Sequence, residues 1–264
     1  MMNFELPFLP ERPAKPRQKG ITMVMDKGLS IREVENFIDS SVELVDLVKL
    51  GFGTSLITNK LAEKIKLYQS AGIECYFGGT LFEAFVIRGK FEDYLRYLDK
   101  FKMTMAEVSD GSVNMDHQLK CEYISKLSQR CKVLSEVGSK EEGIIIHPGK
   151  WITMMNKELA AGSWKVIAEA RESGTVGIYH SNGKTHVMLV DKITAKVNPD
   201  AIMWEAPLKA QQVWFIKQFG ANVNLGNIAP NDLIPLETLR LGLRGDTFFQ
   251  HLPKDLDLNL KSTK

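Results

Sequence analysis

The chain is predicted to fold as a single-domain α/β protein, a (β/α)8 TIM barrel. Eight short apolar runs with strand character alternate with eight helical stretches along the sequence, which is the count such a barrel needs in about 250 residues. No low-complexity linker or composition shift divides the series. No Gly-rich dinucleotide loop follows the first run, as it usually would in an open doubly wound sheet, the competing architecture.

The elements follow in order. Residues 1–19 form a proline-rich arm: Pro7, Pro10, Pro13 and Pro16 exclude a helix, and the segment is expected to lie extended across the first strand or a neighbouring subunit. The barrel is assigned to residues 20–245. Ile21–Met25 is the first strand. Ser30 caps a helix to about Ser41, with Glu33 completing a capping box. Leu44–Leu50 is the second strand, and a helix from about Thr58 ends at Gly72. Ile73–Phe77 runs into a glycine turn at Gly78 and Gly79, and its helix is Phe91–Phe101.

Met103–Val108 and Val133–Val137 are the fourth and fifth strands, separated by a helix from about Asp116 to Cys131. Pro148 opens the next helix and Gly162 stops it. The sixth strand starts at Lys165. A helix over Lys184–Val197 leads to a seventh strand, Ala201–Glu205, and to a helix at Leu208–Phe219. Asn222–Leu225 is the eighth strand, and Asn231 caps the last helix, ending near Leu243. Residues 246–264 form a polar tail.

Composition excludes several partners. With 34 basic and 32 acidic residues interspersed, net charge +2, the chain carries no footprint for nucleic acid. No apolar run approaches the ~18 residues of a membrane span. The three cysteines, Cys75, Cys121 and Cys131, have neither CxxC spacing nor an even count, so they read as reduced thiols of a cytoplasmic protein.

Chemistry is expected at the C-terminal ends of the strands. In Lys165–Gly174, alternation puts Ile167, Glu169 and Arg171 on one face, so a carboxylate and a guanidinium end one strand. They are either a structural pair or ligands for a charged partner. The other tips repeat the pattern with Asp26 and Lys27, Lys49, Thr80, Glu107 and Asp110, Glu136, Glu205 and Asn224. Acidic tips on successive strands suit Mg²⁺, whose preferred ligands are hard oxygens. Lysine and arginine in the same mouth suit an anionic substrate. Gly226 and Asn227 are either a phosphate-binding loop or an ordinary tight turn.

The motifs Gly20-Ile-Thr-Met-Val-Met-Asp-Lys-Gly28, Val48-Lys-Leu-Gly-Phe-Gly-Thr54, Phe77-Gly-Gly-Thr80 and Glu107-Val-Ser-Asp-Gly111 come first. Ser135-Glu-Val-Gly138, Glu169-Ala-Arg-Glu-Ser-Gly174, Trp204-Glu-Ala-Pro207 and Asn224-Leu-Gly-Asn227 complete the series. In this order they resemble the phosphosulfolactate synthase family over about residues 15–245. The resemblance implies a barrel that adds sulfite to phosphoenolpyruvate with Mg²⁺, giving (2R)-phospho-3-sulfolactate for sulfonate biosynthesis of the coenzyme M type. It also implies a homo-oligomer, with a trimer among the possibilities. For the roles, the residues offer Glu107, Glu136 and Glu169 as metal ligands with Glu205 beside them, and Lys49 as proton donor with Lys27 second. Arg171, Asn224, Gly226 and Asn227 are the candidates for the phosphate and sulfite groups. Plant heat-stress-associated proteins also resemble the family, which leaves a non-catalytic protective or interaction role as the alternative.

Overall fold

The computed structural model describes residues 3–138, 147–171, 173–254 and 256. In chain order these form β1 (Thr22–Asp26), α1 (Ile31–Ser41), β2 (Leu47–Leu50), α2 (Leu61–Ser70), β3 (Glu74–Phe77) and α3 (Gly79–Val86). Then come α4 (Phe91–Lys100), β4 (Met105–Val108), α5 (His117–Ser128), β5 (Lys132–Val137), α6 (Pro148–Ala160) and β6 (Ser163–Ala168). The series closes with α7 (Val187–Thr194), β7 (Ile202–Glu205), α8 (Lys209–Phe219), β8 (Leu225–Ile228) and α9 (Leu233–Arg240). The strands are parallel in the order β3-β2-β1-β8-β7-β6-β5-β4, a barrel nearly closed on itself. Among the described residues no ladder joins β3 to β4. Side chains span that seam instead: Gly79 N–H donates to Glu107 Oε1 at 2.7 Å near one end, and Lys132 on β5 reaches Glu74 on β3 at 2.8 Å near the other.

Strand parity sorts the side chains into two apolar shells. Ile21, Met23, Leu47, Tyr76, Met105, Leu134, Ile167 and Met203 fill the barrel interior. The alternate residues, such as Val24, Val48, Val166 and Trp204, pack outward against the helices. The interior is therefore a packed core at its middle, and polar inward positions gather only at its two ends.

The N-terminal end is closed by the arm, which lies against its own barrel. Arg12 pairs with Glu237 at 2.8 Å and donates to the carbonyls of Gly20 and Ala221, while Arg17 pairs with Asp46 at 3.1 Å. Lys165 belongs to this end, donating to the carbonyls of Gln18 and Asp200, because β6 starts two residues before it.

Some elements differ from the sequence expectation. Gly78 and Gly79, expected to form a turn, lead straight into the additional helix α3. β8 begins at Leu225, three residues later than expected. Asn224 lies below it, where its amide donates to the carbonyls of Asp200 and Ile202 and its Oδ1 accepts from Ile21 N–H. Its side chain extends the sheet hydrogen bonding, so the Asn-Val-Asn-Leu alternation mimics a strand. The last helix is preceded by a short turn of 3-10 helix, Pro230–Asp232, rather than capped by Asn231. The expected Ser30–Glu33 capping box on α1 is present. The first part of the tail docks on α8 and α9, with Gln250 donating to Ile216 O and Thr247 to Leu239 O; its remainder lies mostly outside the described residues.

Candidate active site

Inward parity at the C-terminal ends of the strands delivers Lys49 from β2, Glu107 from β4, Glu136 from β5 and Glu205 from β7. Glu169 follows one residue after β6, and Asn227 comes from β8. All six are at least nine-tenths buried around a cavity of ≈ 260 Å³, with Thr80, Phe52 and Arg171 on its wall and rim.

Lys49 is the hub. Its Nζ lies 3.0 Å from Glu107 Oε1, 3.5 Å from Glu136 Oε2 and 3.5 Å from Glu205 Oε1. Burial alone would push an ammonium towards neutrality, but Glu107, Glu136 and Glu205 outweigh it and hold Lys49 well above the ordinary lysine value. Burial likewise raises the carboxyl of Glu107 despite Lys49, and raises Glu205 to about 7.

The carboxylates are held by backbone. Glu107 Oε1 accepts from Gly79 N–H at the start of α3. Glu205 Oε2 accepts from Ala170 N–H at 2.9 Å, and Glu169 Oε1 from Arg171 N–H at 2.6 Å. Gly138, at φ +141°, packs so closely on Glu169 that an added Cβ would fall 2.5 Å from the Glu169 Cβ. Oxygen atoms of Glu136, Glu169 and Glu205 converge within 4.8 Å of one another. Three hard, anionic donors at this spacing fit a divalent cation of the Mg²⁺ kind. Glu107, expected among the metal ligands, is turned towards Lys49 and α3, and Glu205 takes its place in the converging set.

The remaining sequence candidates divide. Arg171 stands exposed at the rim with left-handed backbone, φ +54°, and Asn227 lines the cavity with φ +56°. Three corrections apply. Lys27 is exposed and is not among the cavity-lining residues: it shares the parity of Met25, but β1 ends at Asp26, whose Oδ1 accepts from the N–H groups of Gly28 and Leu29 and turns the chain away. Asn224 is at the opposite end of the barrel. Gly226 is not an anion-binding loop: it sits within β8, and a Cβ there would fall 2.7 Å from Met23 Cε, so the glycine makes room for core packing. Sequence reasoning missed the role of Gly79, whose N–H orients Glu107; its signal was a double glycine directly ahead of an apolar helical run.

A parallel eight-stranded barrel with a lysine and acidic residues buried at the C-terminal ends of its strands defines a (β/α)8-barrel enzyme. A profile of the (2R)-phospho-3-sulfolactate synthase family matches residues 10–246. The chain belongs to the phosphosulfolactate synthase family. It is 41% identical to the phosphosulfolactate synthase of Bacillus subtilis (strain 168), over 91% of this chain and 97% of that one. It is 39% identical to that of Methanothermobacter thermautotrophicus, over 90% and 95%, and 40% identical to that of Methanocaldococcus jannaschii, over 88% and 94%. The fold is also similar to that of 3-hexulose-6-phosphate synthase from Salmonella typhimurium, at TM-score 0.56 and 12% identity, covering 85% of this chain and all of the other.

Proposed function

We propose that the chain joins sulfite to phosphoenolpyruvate in a Mg²⁺-dependent reaction that yields (2R)-phospho-3-sulfolactate. The observation that carries this reading is the convergence of Glu136, Glu169 and Glu205 beside Lys49 in one buried mouth. The sulfur lone pair attacks the methylene carbon, the double-bond electrons move onto the substrate carboxylate, and a proton then adds at the phosphate-bearing carbon. A bound divalent ion would supply Lewis-acid stabilisation of that carboxylate, with Glu136, Glu169 and Glu205 as its ligands.

Lys49 is the proton donor in this reading. Its neighbours keep it charged, the form a donor needs, and it regains the proton from solvent after turnover. Glu107 aims the ammonium from its anchor on Gly79. Arg171 at the rim and Asn227 and Thr80 on the wall receive the phosphate and sulfonate oxygens. Association into a homo-oligomer is part of the proposal: Leu56, Ile57 and Ile87 are 80%, 84% and 67% exposed, an apolar surface suited to burial against a second copy. The reduced thiols fit a cytoplasmic location, and no described helix is long and apolar enough to cross a membrane.

The test follows phosphoenolpyruvate consumption and product formation by phosphorus NMR with sulfite and Mg²⁺. Glu136→Gln should keep the fold and raise the Mg²⁺ concentration for half-maximal rate by about tenfold or more, a loss of roughly 1.4 kcal/mol. Normal turnover of that variant at limiting Mg²⁺ would remove Glu136 from the ligand set.

A further inference from the structure

Outside the barrel wall, behind the catalytic mouth, lies a second buried charge cluster that the reaction does not use. Lys120 on α5 is fully buried. Its Nζ lies 2.8 Å from Asp110 Oδ1, 2.9 Å from Glu158 Oε1 on α6, and 2.5 Å from the backbone carbonyl of Glu136. His117, one turn before Lys120, approaches the same Glu158 oxygen at 3.1 Å.

The placement explains the third contact. The β4–β5 ladder ends at the Val108–Ser135 pair, so the Glu136 carbonyl stands one residue beyond its last rung. Asp110 likewise stands just past the end of β4. Lys120 therefore bridges the ends of the two neighbouring strands that deliver Glu107 and Glu136, and Glu158 fixes the lysine from behind. Burying the Lys120–Glu158 pair, with Asp110 only 13% exposed beside it, is a poor device for stability alone, since apolar groups of similar volume commonly do as well or better. What such a cluster does supply is defined geometry.

We propose that Lys120 is a positioning residue for the catalytic mouth, holding the β4 and β5 ends in the register that places Glu136 for its cation. The proposal rests on the ligand role given to Glu136 above. Lys120→Met removes the bridge but strands Asp110 and Glu158 in a buried site, so it is paired with a second variant. Lys120→Met/Asp110→Asn/Glu158→Gln removes all three charges and nearly preserves volume.

The readouts are steady-state kinetics at varied Mg²⁺ and amide hydrogen exchange over residues 135–138 and at Glu169, whose N–H bonds Val137 O at 3.0 Å. In the triple variant, with thermal stability at or above that of the wild type, exchange at these amides should accelerate. The Mg²⁺ concentration for half-maximal rate should rise by about tenfold, and the KM for phosphoenolpyruvate should stay within twofold. Unchanged exchange in a folded variant overturns the proposal. So does accelerated exchange with unaltered Mg²⁺ dependence. If the wild type itself shows no Mg²⁺-dependent turnover, the proposed function fails instead, and exchange alone then decides whether Lys120 orders the β5 end.

Discussion

Lys49 faces Glu107, Glu136 and Glu205 from a single strand position, so a substitution there tests its proposed role in proton transfer apart from binding. Lys49→Met keeps the aliphatic stem and loses the donor and the charge. The freed carboxylates repel, and a divalent cation relieves them, so cation binding should persist or tighten. Calorimetric titration of Mg²⁺ and phosphoenolpyruvate should show both ligands retained while turnover falls by about 100-fold or more. Turnover within tenfold of wild type would take Lys49 out of the donor role. Glu158 makes a different case. Burial opposes its ionisation, yet Lys120 and His117 outweigh it and hold the carboxyl below its ordinary value. A depressed acid contributes stability above its unfolded value and loses that contribution as pH falls through its folded one. The stability gap between the wild type and Glu158→Gln in urea should be full above about pH 5 and narrow progressively below pH 4.5. A gap independent of pH would show that Glu158 contributes through packing.

Helix α3 is the element that most changes the reading of this barrel. Its start abuts β4, and an alanine Cβ at Gly79 would stand 2.7 Å from both Glu107 Oε1 and Ser109 Cβ. Gly79→Ala should therefore cost about 1–3 kcal/mol of overpacking and lower turnover by turning Glu107 away from Lys49. Thermal melts and rates measured on one preparation check this, and a variant with wild-type values in both would show that the contact relaxes freely. The strands that carry Lys49, Glu107, Glu136 and Glu205 were legible because inward parity and apolar alternation agree there. α3 was hidden because two glycines read locally as a turn, whereas the open seam beside β4 lets them begin a helix. Asn224 and Gly226 misled for a related reason. Both suit a loop that binds anions, but one completes backbone pairing at the far end and the other yields space to Met23 and Met203. Lys27 has the inward parity of Met25 but stands past the end of β1, where Asp26 turns the chain away from the mouth. Nothing local in the sequence announces the Lys120 cluster, whose members come from a loop and two helices.

At the scale of the molecule, eight strands make a belt whose ends, among the described residues, are fastened by side chains rather than by a ladder between β3 and β4. The arm and Arg240, which donates to the carbonyls of Ala221 and Val223, tie the opposite side, where β1 meets β8. Opening should therefore start at the seam. The buckle at the cavity is Glu107, gripped by Gly79 and Lys49. Ligands that recruit Lys49 alter the charge around that buckle, so occupancy and closure share one free energy. Phosphoenolpyruvate with Mg²⁺ should slow amide exchange along β3 and β4 more than along β7 and β8, and uniform slowing would show the seam to be no weaker than the rest. Among the described residues, the proposed chemistry is thus housed beside the joint that the sheet leaves unsewn, and an enzyme of this form would sense an empty mouth as a loosened ring.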